Sequence, residues 1–237
     1  MLYRAGALRK LGRVDHRDAF LDTDALERAR GITIFSKQAV LKLPGAQLTL
    51  LDTPGHVDFS AEAERALQVM DYAILVVSGT DGVQSHTETL WRLLERYQVP
   101  VFLFVNKMDL AGADRAARME ELRRRFGSGC VDLSDPESAE DLALCSEDLL
   151  EAVMEGRAPG DAQLAEAVAR RQLFPCFFGA ALKLEGVDSL LESLERLTQP
   201  LPPREEPGAR VFKVTRDSSG AWLTWLKVTG GELKVKA

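Results

Sequence analysis

Three short stretches carry side chains that could do chemistry together: Asp52-Thr53-Pro54-Gly55-His56, Asn106-Lys107-Met108-Asp109 and Gly179-Ala180-Ala181-Leu182-Lys183. In the first, the apolar run 48–51 stops at an aspartate, turns through Thr-Pro-Gly and reaches a histidine. That order sets a carboxylate, an unobstructed backbone N–H and an imidazole at one end of a strand. In the second, the run 101–105 delivers an amide, an ammonium and a carboxylate within four residues, and in the third 174–178 runs into small residues and a lysine. In open α/β sheets the carboxyl ends of the strands are where ligands bind. Each stretch also has a plainer reading. Alone, Asp-x-x-Gly is a tight strand-to-helix turn, Asn-Lys-Met-Asp a charged turn, and Gly-Ala-Ala-Leu-Lys a small-residue turn.

The elements that must position these residues are legible in the apolar pattern. Residues 73–78 (AILVVS), 101–105 and 174–178 are continuous apolar runs of the kind found in strands buried on both faces. Helical spacing at 60–70, with Ser60 as N-cap, at 85–97 and at 187–197 alternates with them. Strand-helix alternation predicts a parallel, right-handed, doubly wound sheet, an α/β fold. Runs 38–43 and 47–51 around Pro44-Gly45 predict a hairpin. Residues 2–11 read as the last turns of a helix ending at Gly12, and 22–34 as a surface loop entering a strand. The middle, 114–171, is mostly helical by composition, with 127–140 a surface excursion.

Pro200, Pro202, Pro203 and Pro207 form a stiff linker, which divides the chain into 1–200, the linker 201–208 and 209–237. In the last part, 211–214, 222–228 and 232–235 alternate like strands. Three strands are too few to close a barrel, so this part reads as an incomplete β domain whose unpaired edges invite self-association.

The 237 residues suffice for one large domain, or one domain and a fragment. A net charge of -6 excludes a nucleic-acid binder that works by bulk electrostatics, while leaving room for a local basic patch. Cys130, Cys145 and Cys176 form no Cys-x-x-Cys pair and have no nearby histidines, which predicts reduced thiols and a cytoplasmic location. No apolar run approaches a membrane span, so no membrane partner is expected.

Taken in order, and together with ERARGITI at 27–34, the three stretches resemble the translational GTPases over nearly all of residues 1–200. The resemblance implies a P-loop NTPase-like domain followed by the start of a β-barrel, with GTP/GDP and Mg²⁺ as cofactors. It implies that Asp109 accepts from the guanine N1–H and 2-amino group, that Asn106 contacts the N7 side, and that the stem of Lys107 lies along the ring. A backbone N–H near Ala181 faces the guanine oxygen, within the loop that also carries Ala180 and Lys183. Thr33 and Asp52 are the implied Mg²⁺ residues, Gly55 the γ-phosphate donor, and His56 the residue that orients the attacking water. Two departures stand out. Ala180 replaces the family's serine, and the phosphate cradle GxxxxGK[ST] does not occur in the sequence. By resemblance that cradle precedes residue 1, together with a strand that sits between those ending at Asp52 and Ser78. The expectation is a chain truncated at both ends, with severely weakened nucleotide binding and a gap in its sheet that direct pairing of the neighbours, another segment or another chain would close.

Within the translational GTPases, LYRAGAL at 2–8, GVQSHTETLW at 82–91 and Gly112 after Asn-Lys-Met-Asp resemble elongation factor G and the tetracycline-resistance ribosomal protection proteins. The compact middle, with EDLLEAVMEGR at 147–157, is closer to the second. The expected activity is ribosome-stimulated GTP hydrolysis, with the ribosome, its rRNA and proteins, as partner. The alternatives are an elongation factor G paralogue, or an interaction module that no longer hydrolyses nucleotide.

Overall fold

The computed structural model describes residues 1–8, 27, 33–200, 204–217 and 219–234. Its centre is a parallel four-stranded sheet of β3 (Ala73–Ser78), β4 (Val101–Asn106), β5 (Cys130–Asp132) and β6 (Phe174–Phe178), in the order β3-β4-β6-β5. Successive residues of β4 point to opposite faces, and both faces are covered. Phe102 and Phe104 join Val131 and Phe177 in one cluster, closed by Leu149 of α5 (Glu147–Met154), Val168 of α6 (Asp161–Ala169) and Leu194 of α7 (Val187–Leu197). Val101, Leu103 and Val105 join Cys176 on the other face, under α2 (Ser85–Arg96) and α3 (Arg115–Phe126). There Trp91 stacks on Phe126 with ring centroids 4.3 Å apart and meets the edge of Phe174 at 4.8 Å. Burying a large apolar side chain stabilises by about 1.5–3 kcal/mol, and Val101 to Val105 of β4 are all buried between the two faces. The short helices α1 (Ser60–Leu67) and α4 (Ala139–Ala143) complete the set before β3 and α5.

The hairpin expected around Pro44-Gly45 is present: β1 (Lys37–Lys42) pairs with β2 (Gln47–Asp52) from Lys37↔Asp52 to Lys42↔Gln47. Fully buried Leu41, with Leu43 and Leu48, packs in the same cluster as Phe102. Besides this packing, Gly45 N–H at the hairpin turn donates to the Glu195 carboxylate of α7, but among the described strands no ladder joins β2 to β3. The gap expected between them is therefore not closed by pairing of these two neighbours. It also corrects the expectation for β3, whose burial alternates and leaves Val76 56% exposed. As an edge strand of the described sheet, β3 lacks the neighbour that would cover it.

Four further expectations change. Residues 2–6 form turns, with Ala5 N–H donating to the Met1 carbonyl at 3.0 Å, and no helix is formed at 1–8; 9–12 and, within the expected surface loop, 22–26 and 28–32 lie outside the described residues, while Glu27 is helical and fully buried there. Ser60 is the first residue of α1 and not its cap, because the 3₁₀ turn Val57–Phe59 precedes it and the Ser60 hydroxyl donates to the Val57 carbonyl at 2.8 Å. The stretch 127–140 is no mere surface excursion: β5 lies inside it, buried, since Cys130 and Val131 supply an apolar pair that fits beside β6. Beyond the linker, two strands form and not three. β7 (Gly208–Arg216) and β8 (Trp222–Gly230) make an antiparallel hairpin, 232–234 carry no strand, and 235 lies outside the described residues. This hairpin docks beside α1, where Arg210 donates to the Gln68 carbonyl at 2.8 Å and Lys227 to the Val69 carbonyl at 3.0 Å. Among the described residues no helix is long and apolar enough to cross a membrane.

Candidate functional site

Parallel pairing places the ends of β3, β4 and β6 side by side, with Ser78 opposite Asn106 and Val105 opposite Phe178. The loops that follow are tied to one another. Gly79 N–H donates to the Asn106 carbonyl at 2.7 Å, and Gly179 N–H to that of Val105 at 2.9 Å. Met108 N–H donates to the Gly179 carbonyl at 3.0 Å. Asn106 Oδ1 accepts from Ala181 N–H at 2.9 Å, so the amide expected to face a ligand also bridges two loops. Lys107 adopts a left-handed backbone, φ 65°, which turns the chain sharply off the strand.

Asp109 and Lys183 face each other across these loops, Oδ2 to Nζ 2.9 Å. The Lys183 hydrogen bond holds the Asp109 carboxyl below its usual range, and the same bond raises the Lys183 ammonium. Gly179 is buried and admits no side chain: an added Cβ would lie 2.1 Å from the Glu185 carbonyl oxygen. Ala180 is buried as well, its N–H donating to the Glu185 carbonyl at 3.1 Å.

Beside this edge lies a groove of about 310 Å³ lined by Ser78, Asp81, Gln84, Thr87, Asn106 and Lys107, among others. Asp81 is a residue of this groove beyond those expected from the sequence. Ser78 Oγ donates to Asp81 Oδ2 at 2.7 Å and accepts from Asp81 N–H at 3.2 Å, which fixes the loop and lowers the carboxyl's pKa. The signal that could have found it is the one that drew attention to Asp52: an aspartate and a glycine directly after an apolar strand.

The other expected residues lie on the separate hairpin and its flanks. Asp52 ends β2, half-buried, and Thr33 stands in the described segment before β1. Pro54 is buried, whereas Gly55 is exposed, with nothing within 4 Å of a Cβ built on it. His56 caps the Val57–Phe59 turn, its Nδ1 accepting from Asp58 N–H at 3.3 Å with Asp58 Oδ2 at 3.5 Å. The structure thus joins Asn106, Asp109, Ala180, Ala181 and Lys183 into one bonded edge with Lys107 in the turn between, while Thr33, Asp52, Gly55 and His56 are carried by the hairpin β1–β2 and the segments on either side of it.

As for metals, no group of three or more His, Cys, Asp or Glu side chains that could hold an ion occurs among the described residues. A hydroxyl at Thr33 and a carboxylate at Asp52 are nonetheless the hard oxygen donors that suit Mg²⁺, which takes only one or two carboxylates besides phosphate and water.

Comparison with known proteins bears on this arrangement. The family model described as the elongation factor Tu GTP binding domain matches residues 1–200. The chain is 34% identical over 262 residues to tetracycline resistance protein TetM of Streptomyces lividans, covering 98% of this chain and 41% of that protein. It is 31% identical over 304 residues to elongation factor G of Ureaplasma parvum serovar 3, covering 98% of this chain and 44% of that one. A crystal structure of a Thermus thermophilus protein superposes with a TM-score of 0.85 at 28% identity, covering 98% of this chain and 43% of that one. The chain therefore spans about two fifths of the length of the relatives it matches.

Proposed function

Because the chain belongs to the elongation factor Tu GTP-binding-domain family, among the translational GTPases, we propose that it reads a guanine nucleotide along the edge made by the loops after β4 and β6. One observation carries this reading. The bond from Ala181 N–H to Asn106 Oδ1 and the Asp109–Lys183 ion pair bring a carboxylate, an amide and a backbone donor together on fixed supports. Guanine differs from adenine at its 2-amino and 6-oxo groups, and a carboxylate acceptor beside an N–H donor matches that edge. A carboxylate has about four lone-pair sites, so Asp109 can accept from the base's N1–H and 2-amino group while keeping Lys183. Asn106 serves the N7 side, the stem of Lys107 covers a ring face, and Ala181 N–H exchanges its bond to Asn106 Oδ1 for one to the 6-oxo group.

Thr33 and Asp52 would hold Mg²⁺, which supplies charge neutralisation at the phosphates. Gly55 would offer its N–H to a γ-phosphate, and exposed His56 would orient a water, since phosphoryl transfer depends on positioning and electrostatics. The phosphate-binding sequence GxxxxGK[ST] does not occur in this chain, so the chain's own residues account for base recognition better than for phosphate binding.

The biological setting in this reading is ribosome-stimulated hydrolysis in the cytoplasm. The tetracycline-resistance type is supported by alignment length. The match to TetM runs over 262 residues and that to elongation factor G over 304, in keeping with a shorter middle here. Domain limits of 1–200, 201–208 and 209–237 complete the proposal. A second reading is an interaction module without turnover. Titration with fluorescent GDP and GTP separates the two, using this chain and a version with a strand–GxxxxGK[ST]–helix segment joined ahead of Met1. Binding of both nucleotides by the extended version is expected, with weak binding or none by the chain alone. If the extended version is also silent, the enzyme reading is wrong.

A further inference from the structure

We propose that Glu62 and Lys213 form a latch that holds Ser36 between α1 and β7, so that the segment leading out of Thr33 and the β7–β8 hairpin are ordered together. The latch stands without the nucleotide reading, and only its consequence for Thr33 as a metal ligand rests on that reading.

Charged side chains converge on this segment from three sides. Glu62 Oε1 of α1 accepts from Ser36 N–H at 3.2 Å and from the Ser36 hydroxyl at 2.6 Å. From β7, Lys213 Nζ donates to the Ser36 carbonyl, lies 4.0 Å from Glu62 Oε1 and sits 5.7 Å from the centroid of the Phe35 ring. Glu27 Oε1 accepts from Ile34 and Phe35 N–H at 3.0 and 3.1 Å, and its other oxygen pairs with Lys37. The backbone here is therefore satisfied by side chains, where β1 beyond it is satisfied by a ladder.

The charges make the latch cooperative. The side chains of Glu62 and Lys213 are only 14% and 13% exposed, and that of Glu27 not at all. Burial pushes the Lys213 ammonium down, with Glu62 acting against that shift and Lys37 adding to it. Removing one partner of a buried pair leaves the other charge uncompensated. Arg65, 3.2 Å from the second oxygen of Glu62, is exposed and cannot replace a partner on the inner side. The Ser36 carbonyl and the inner charge of Glu62 thus keep their partner only while the β7–β8 hairpin stays docked. Ser36 supplies the joint, since its N–H, hydroxyl and carbonyl are all engaged by the two latch residues.

Amide hydrogen exchange on the full chain tests this. Lys213→Met should speed exchange at Ser36 about tenfold while leaving Val101–Asn106 of β4 unchanged. In the reverse direction, Glu62→Gln should speed exchange in β7, which a purely local role for Glu62 would not do. The double variant should exchange no faster at Ser36 than the faster single one. Unchanged Ser36 protection in Lys213→Met, or single effects that multiply in the double variant, would overturn the proposal. If Lys213→Met also loosens β4, Glu62→Gln decides: faster β7 exchange over an intact β4 supports the latch, and any other pattern overturns it.

Discussion

The edge that carries Asn106, Asp109 and Lys183 and the edge that carries Asp52, Gly55 and His56 are built by different means. The first hangs from neighbouring strands of one ladder, and its loops exchange hydrogen bonds with each other. The second hangs from a hairpin that touches the sheet through Leu41, Leu43 and Leu48 without pairing to it, and Gly55 and His56 of its turn stand in solvent. The edge proposed to read a base is thus assembled by strand pairing and by bonds between its own loops. A loop that must exchange contacts is drawn from the low-stability end of a structure, and the turn after β2 has that character.

The contrast is broken most directly at its foundation. Phe102 is fully buried in β4, so Phe102→Ala should cost about 3–5 kcal/mol and lower the melting temperature more than any of the substitutions that follow. If thermal unfolding barely moved, β4 would not be the support of the first edge. Next comes Gly179→Ala, whose Cβ would meet the Glu185 carbonyl oxygen at 2.1 Å and force backbone apart. Overpacking of this kind costs about 1–3 kcal/mol, read in urea unfolding. Asn106→Ala leaves the part-buried Ala181 N–H without its acceptor, at a cost of about 1–3 kcal/mol, and should raise hydrogen exchange at 179–183 selectively. Equal exchange in variant and parent would show that the two loops are independent.

These positions also show what the sequence made legible. The apolar runs ending at Ser78, Asn106 and Phe178 predicted three parallel strands because burial on both faces leaves an unbroken apolar signature. β5 escaped notice because three residues among glycines, serines and aspartates carry too short a pattern, and only pairing with β6 reveals it. The turn of Val57–Phe59 displaced the expected cap at Ser60 for a similar reason, since His56 offered a cap earlier in the chain. Asn106 and Asp109 could be picked out as candidates, but not that Asn106 bonds to Ala181, a partner 75 residues away. Long-range contacts such as Ser36–Glu62–Lys213 leave no local trace at all.

A smaller effect sharpens the electrostatic side of the comparison. The Lys183 hydrogen bond depresses the Asp109 carboxyl below its usual value of 3.8. A carboxylate with a depressed folded pKa contributes stability that is present above its unfolded value and is lost as pH falls through the folded one. The Asp109–Lys183 link should therefore survive the ordinary carboxylate range and break only below 3.8, as read from the Asp109 carboxyl carbon shift. Lys183→Met should move that midpoint upward. The pair is exposed enough that little global stability should follow, and an unmoved midpoint would mean that the two side chains do not meet in solution.

The smallest expected effect is the most discriminating. Gly55 has nothing within 4 Å of a built Cβ and no left-handed backbone, so neither packing nor strain opposes Gly55→Ala. Surface changes away from special features fall within about ±0.5 kcal/mol, and restricting the unfolded chain favours alanine slightly. Melting should shift little, in contrast to Gly179→Ala, although both are glycines in expected ligand-facing loops. In the extended version, where a γ-phosphate would approach the Gly55 N–H, the same methyl group should weaken GTP binding more than GDP binding. A melting loss as large as that of Gly179→Ala would mean that the turn after β2 is packed against another part of the molecule in solution. The two edges would then be held alike, and the Asp52–His56 loop could not be the freer of the two.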